Sequence, residues 1–247
     1  MLPEALKHNA PYRALAGWRT RRSLQRRLRA LNLEGKFDPD LKRRFLRGER
    51  FGAAEIEEKN DLVWKELLDD CVSGEDLEMM LTHLDEESRT CLEVGCGGGR
   101  VAIAIAQTGR QVTGVDVSGE ALTHARASAA ELGVEVEWRK APIEELPYPD
   151  ASFDVVTCCH TLEHVQDLPA AVAELIRVTR RQLIVIVPRE DAINEYSTDY
   201  HFQAFPTSDA LAKAIPLTDH ECFVARVSNQ QWQGEYIFFA GRIERAP

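Results

Sequence analysis

The 247-residue chain suits one α/β domain of about 150–200 residues with an extension, and an apolar content of 44% is enough to bury a full core. A net charge of −10 hides an asymmetry: residues 1–50 carry 14 Lys and Arg against 5 Asp and Glu, and the rest of the chain carries 16 against 35. The acidic body argues against broad nucleic-acid binding by the core. No run approaches the roughly 18 apolar residues of a membrane span, and the start Met-Leu-Pro-Glu-Ala-Leu-Lys is not a secretory signal. Six cysteines without a C-x-x-C pair point to reduced thiols, a cytoplasmic location and no metal site.

In chain order, Trp18, Leu24, Leu28 and Leu31 fall near helical spacing among six arginines, which predicts a basic amphipathic helix over 15–31. Asp38-Pro39-Asp40 breaks it, and Asp40 caps a helix over Leu41–Leu46. Further helices are expected over Glu55–Cys71, with Ile56, Leu62, Val63, Leu67 and Leu68 as its apolar members, and from a Ser73 cap to about Leu84. Beyond Ser88 strands alternate with helices. The strands are Thr90–Val94, Gln111–Val115, Val134–Arg139, Phe153–Cys159 and Gln182–Val187; the helices are Gly99–Gln107, Gly119–Leu132 and Leu168–Val178. This alternation predicts a parallel sheet with right-handed crossovers. The strands Cys222–Val227 and Glu235–Ile243, parted by a polar stretch with Asn229 and Gly234, predict a closing antiparallel hairpin. The expected division is an N-terminal helical arm over 1–72 and the α/β domain over 73–247.

Leu92-Glu-Val-Gly-Cys-Gly-Gly-Gly-Arg100 follows a strand and opens a helix, the context of a nucleotide-binding turn. Arg100 stands where a dinucleotide fingerprint needs its third glycine, which disfavours a nicotinamide-dependent oxidoreductase. What remains is E-x-G-x-G-x-G. Some twenty residues on, Asp116 ends the second strand in Val112-Thr-Gly-Val-Asp-Val-Ser118, where a carboxylate can accept hydrogen bonds from both hydroxyls of a ribose.

These residues resemble the first motifs of class I S-adenosylmethionine-dependent methyltransferases, and the resemblance runs from about Thr90 to Arg180. It implies a Rossmann-like, mostly parallel seven-stranded sheet, with S-adenosylmethionine as cofactor and S-adenosylhomocysteine as product. Carried onto this chain, the loop Gly95, Cys96, Gly97 and Gly99 packs against the methionine part of the cofactor, and Glu93 places its ammonium. Asp116 and Val117 would meet the ribose. Ala141-Pro-Ile-Glu-Glu-Leu-Pro-Tyr-Pro-Asp150 followed by Ser152-Phe-Asp-Val-Val156 resembles the UbiE-like branch, methyltransferase type 11. That branch has an adenine-facing Asp where Pro142 stands here, so Ile143 and Glu144 are the substitutes for holding the adenine.

Thr157-Cys-Cys-His-Thr-Leu-Glu-His-Val165 runs out of the fourth strand and resembles the same branch. Ligands of open α/β sheets sit beyond the carboxyl ends of the strands, which brings His160 to the methyl-transfer point. A hydroxyl acceptor benefits from a base of near-neutral pKa, a role open to His160, His164 or, further on, His201. Glu163 reads as a brace for the following helix. Tyr196, Tyr200, His201, Phe202 and Phe205 mix aromatic walls with polar tips, as acceptor pockets do. The chain has no N/D-P-P-Y/F after the fourth strand and no Pro-Cys pair, which disfavours amine methylation of adenine and covalent cytosine C5 methylation.

The reading is a methyltransferase of a small-molecule acceptor, with O-methylation by in-line displacement favoured over N- or C-methylation. Its rivals are an RNA or protein methyltransferase, an enzyme acting on a lipid or quinone at a membrane surface, and a non-catalytic cofactor-binding scaffold. The basic arm is expected to lie over the acidic body as a lid. Contact of residues 13–50 with a membrane surface, RNA or a partner protein is the less favoured use.

Overall fold

The computed structural model describes residues 41–62, 64, 74–191, 201–228 and 233–244. The basic helix expected over 15–31 lies outside them, as do Tyr196 and Tyr200. Two short helices, α1 (Leu41–Leu46) and α2 (Ala53–Leu62), precede α3 (Gly74–Thr82). The domain then runs β1 (Thr90–Val94), α4 (Arg100–Ala106), β2 (Gln111–Asp116), α5 (Gly119–Leu132), β3 (Glu137–Lys140) and β4 (Phe153–Cys159). It continues with α6 (Leu168–Val178), β5 (Thr179–Pro188), α7 (Ser208–Ala214), β6 (Asp219–Ser228) and β7 (Gln233–Arg242).

The seven strands lie in the order β3-β2-β1-β4-β5-β7-β6. β7 is antiparallel to both of its neighbours and all other pairs are parallel, as the expected hairpin requires. The two central strands, β1 and β4, lie side by side with their carboxyl ends on one edge, where the crossover order reverses and a crevice forms.

Both faces of the sheet are covered, so its central strands are apolar on both sides rather than alternating with polar residues. Along β5, Leu183, Val185 and Val187 face the cluster under α6 and α7, while Ile184 and Ile186 face the one under α3 and α4. Helix starts follow local chemistry. Ser118 Oγ accepts from Ala121 N (3.0 Å) at α5, and Asp167 accepts from Ala170 N (3.1 Å) at α6. Thr207 does the same for α7 through Ala210 N (3.1 Å). That helix is absent from the sequence reading, because seven residues give too short a period to separate from loop.

Several boundaries differ from expectation, among them β6, which runs from Asp219 to Ser228 rather than over 222–227. β3 begins at Glu137 rather than Val134. β5 runs from Thr179 to Pro188, longer than 182–187. The helix expected over 55–71 begins at Ala53 and is described as far as Leu62; of the residues beyond, only Trp64 is described before Gly74.

Two helices ahead of the sheet fold onto it. Asp61 on α2 accepts from Ser118 Oγ (2.6 Å) and Glu120 N (3.2 Å), which ties α2 to the start of α5. Glu57 pairs with Lys140 at the end of β3. Phe51 exchanges two hydrogen bonds with the side chain of Gln166, at 2.8 and 3.0 Å. α2 therefore roofs the crevice at the carboxyl edge of the sheet.

Candidate active site

A cavity of about 500 Å³ opens at that edge. Of the expected site residues, Glu93, Gly95, Cys96, Gly97, Asp116, Val117, Ile143, Glu144, His160 and His164 line it; Gly99 and His201 do not. Segments far apart in sequence thus meet at one place.

The glycine loop is held by backbone bonds and by Asp116. Gly95 N and Cys96 N both donate to Val115 O, at 2.8 and 2.9 Å. Gly95 has φ +71° and Gly97 φ +49°, a region that costs side-chain-bearing residues energy. A Cβ on Gly95 would sit 2.1 Å from Thr161 Oγ1, and one on Gly97 2.5 Å from the Trp64 ring. The loop is therefore pressed between β4 and the segment after α2, and only bare backbone fits.

Asp116 is buried. Its Oδ2 accepts from Gly97 N (2.8 Å) and its Oδ1 from Ser118 N (2.8 Å). Two of about four lone-pair sites are thereby used, and the rest remain to meet a diol. Burial raises its pKa, against the backbone hydrogen bonds that lower it. Glu93, 1% exposed, accepts a hydrogen bond from Thr157 Oγ1. Burial pushes its pKa up to about 8, opposed by Thr157, a Cys159 backbone bond and the charge of His160. A buried acid so poised is stabilised as a carboxylate by an incoming cation. The Asp116 diol acceptor, the Glu93 cation acceptor and the bare-backbone cradle together fit a nucleoside bearing an ammonium group, as S-adenosylmethionine does. Glu144, also on the lining, has its pKa raised by burial.

At the mouth, His160 has φ +52°, one of two non-glycine residues with positive φ among those described. Its N–H donates to Ile186 O (2.8 Å). Its ring lies 3.4 Å from Asp76 Oδ2 through Nε2 and 3.6 Å from Glu163 Oε1 through Nδ1, with Tyr236 edge-on at 4.6 Å. Burial by itself would lower its pKa; the hydrogen bonds and charges of Asp76 and Glu163 overcome this and raise it to about 9. His160 is thus an imidazolium at neutral pH, with no lone pair to take a proton. Its surroundings suit a clamp between α3 and β4 better than the base expected from sequence.

Glu163 does more than brace a helix. Burial would raise its pKa, yet the His160 hydrogen bond and the charges of His164, His160 and His201 lower it to about 2. Its backbone oxygen accepts from Phe202 N (2.6 Å) and Gln203 N (3.0 Å), which docks the segment after 200 onto the mouth. His164 stands 3.9 Å from Glu163 and its ring centroid 4.9 Å from that of His201; His201 Nδ1 in turn meets Glu190 Oε2 at 2.7 Å. Glu163, His164 and His201 bring one donor atom each within 4.8 Å of one another. This grouping, the one donor cluster of its kind among the described residues, differs from the expectation of no metal-ligand cluster. Two of its members are adjacent in sequence and the third is 37 residues away, so spacing alone does not reveal it.

Residues 92–187 match the protein family described as methyltransferase domain. That segment of the chain is a methyltransferase domain. The chain is 39% identical over 136 residues to a ubiquinone biosynthesis O-methyltransferase of Alkalilimnicola ehrlichii, covering 55% of this chain and 53% of that one. It is 40% identical over 148 residues to a protein of the same name from Hahella chejuensis, covering 58% and 60%. The chain therefore spans a little over half the length of these relatives. The crystal structure of YcgJ protein from Bacillus subtilis shares the fold, with a TM-score of 0.59 at 20% identity over 70% of this chain and 100% of that one. The Rossmann-like, mostly parallel seven-stranded fold implied by the type 11 resemblance holds for this chain.

Three parts of the site have no sequence signal. Asp76 is a wholly buried acid on α3. Trp64 covers Gly97 and Gly98 of the methyltransferase loop. Lys59 on α2 lines the cavity, and burial lowers its pKa to about 8. Each reads in sequence as an ordinary helix residue.

Proposed function

We propose that the chain catalyses S-adenosylmethionine-dependent O-methylation of a small-molecule hydroxyl. The observation that carries this is the joining, in one cavity, of the bare-backbone loop, Asp116 and Glu93 with the histidine-lined mouth of a methyltransferase domain. The relatives named ubiquinone biosynthesis O-methyltransferase support oxygen as the target atom. When bound, the cofactor supplies a sulfonium-activated methyl group, so alignment and water exclusion are most of what the protein adds.

In this reading Glu93 holds an ammonium, Asp116 the ribose hydroxyls, and Val117, Ile143 and Glu144 flank the base. Gly95, Cys96, Gly97 and Gly99 give the loop its close approach. His164, on the cavity wall, takes the proton of the acceptor hydroxyl. His201 and Glu190 behind it support the charge that results, as an acid does for a general-base histidine. His160, locked as a cation, positions the mouth and faces the reacting centre without exchanging a proton. This reading keeps the expected division into an N-terminal part over 1–72 and a methyltransferase domain over 73–247, with α2 packed against the start of α5 and over the cavity. Among the described residues the cysteines at 91, 96, 158, 159 and 222 are free thiols, and no described helix is long and apolar enough to cross a membrane. Both fit a cytoplasmic enzyme acting on a small molecule, with contacts of residues 13–50 to membrane or RNA secondary.

Calorimetric titration with S-adenosylhomocysteine, then turnover of methyl-labelled S-adenosylmethionine with a metabolite extract, tests the proposal. Saturable binding and a labelled, base-stable ether product are expected. Absence of binding overturns it; binding without turnover leaves a scaffold.

A further inference from the structure

α2 buries none of its residues fully, and its seating on the sheet domain depends on polar ties. Two of these ties land beside Asp116. Asp61 Oδ1 accepts from Ser118 Oγ (2.6 Å) and from Glu120 N (3.2 Å). Ser118 is wholly buried, and its N–H donates to Asp116 Oδ1 (2.8 Å), while Asp116 Oδ2 accepts from Gly97 N (2.8 Å). Glu57 pairs with Lys140, the residue opposite Asp116 on β3. The next residue, Ala141, donates its N–H to Asp116 O (3.1 Å). A chain of contacts therefore runs from the roof helix through Asp61, Ser118 and Asp116 to the glycine loop.

We propose that Asp61 is a positioning residue that couples the roof helix to the ribose-binding carboxylate, so that the cofactor seats the roof it binds beneath. The inference rests on the methyltransferase reading and adds a coupling to it. A diol held by Asp116 fixes that carboxylate; the fixed carboxylate orders Ser118, and Ser118 in turn holds Asp61. Hydrogen bonds linked in this way strengthen one another. The effect is reciprocal: a seated α2 tightens the cofactor by the factor with which the cofactor seats α2. Because α2 carries Ile56, Lys59 and Asn60 on the cavity lining, the cofactor completes this wall before an acceptor enters. Asp61 uses one oxygen for both bonds. An asparagine oxygen supplies the same acceptor, and alanine supplies none.

The test uses the full chain with S-adenosylhomocysteine as the probe. D61A should weaken its binding about five- to fiftyfold by calorimetry, the span of coupling within one hydrogen-bond network, and D61N should stay within about threefold of the wild type. Added to D116A, which breaks the chain further along, D61A should cost little more, whereas an unrelated packing defect would add in full. Amide hydrogen exchange over residues 53–62 should slow when the wild type and D61N are saturated, and stay unchanged in saturated D61A. Wild-type exchange decides the matter by itself if D61A does not fold. The inference is overturned by D61A binding like the wild type, by D61N as weak as D61A, or by a full additional loss on D116A. It is equally overturned by exchange over 53–62 that ignores the ligand in the wild type. A wild type that does not bind S-adenosylhomocysteine sinks the methyltransferase reading instead, so the two failures are distinct.

Discussion

The two ends of the cavity are built in different ways. The end proposed to hold the cofactor consists of backbone at the ends of adjacent parallel strands: β1 supplies Glu93 and the glycine loop, β2 supplies Asp116, and their register is fixed by sheet hydrogen bonds. The acceptor end consists of side chains from three segments separated by about a hundred residues or by dozens: 51–64, 160–166 and 201–205. Strand ends tolerate few alternatives, because a Cβ at Gly95 or Gly97 meets a side chain within 2.5 Å. A surface of loops and a roof helix tolerates many. A conserved donor with a variable acceptor calls for this split, with the rigid part holding what never changes.

Four measurements press on that contrast, from the largest expected effect to the smallest. His164→Ala belongs to the acceptor end and should lower turnover by about two to four orders of magnitude, while S-adenosylhomocysteine affinity stays within error. Near-full activity in this variant would move the base to another group. Asp116→Ala belongs to the cofactor end and removes a charged acceptor along with the brace on Gly97. A loss of roughly 1.5–3 kcal/mol in cofactor binding is expected by calorimetry, and an unchanged affinity would mean that the cofactor binds elsewhere.

The third measurement follows protons. Glu93 has a pKa of about 8 without ligand and is protonated at pH 7; a bound ammonium favours the carboxylate, so the proton leaves. Titration with S-adenosylhomocysteine in buffers of different ionisation enthalpy should show release of up to about one proton at pH 7, vanishing above pH 9 and in Glu93→Gln. Identical heats in all buffers would contradict this.

The fourth concerns stability. The folded pKa of His160, about 9, lies above its unfolded value near 6.5. Its contribution is fully present below pH 6.5 and is lost as pH rises through 9. Glu93, raised from 4.5 to about 8, loses stability with rising pH in the same sense. Thermal melts should show Tm falling between pH 6.5 and 9.5, with a shallower fall in His160→Gln; an equal slope in the variant would rule out the clamp as its source.

The same division explains what can be read from sequence. Strands β1 and β4 and helices α5 and α6 have their expected bounds, because each combines an apolar run with a capping residue or glycine stop. Glu93, Gly95, Gly97 and Asp116 were visible because backbone geometry forces glycine and acid into a fixed local spacing. Lys59 and Asp76 were not, since their surroundings come from neighbours 80 or more residues distant. His160 shows the limit within a recognised motif: its identity marks the mouth, but its protonation state depends on Asp76, which nothing near it in the chain announces.

Trp64 gives this cleft an optical property. Its indole lies where a Cβ on Gly97 or Gly98 would touch it, and its ring is 6.4 Å from that of His124. Any ligand that seats against the loop changes the polarity and the quenching around that indole. Of the four tryptophans in the chain, Trp64 is on the cavity lining. Its emission therefore serves as a built-in gauge of how full the cleft is, readable in stopped flow without a label and separable from Trp138 through a Trp64→Phe control.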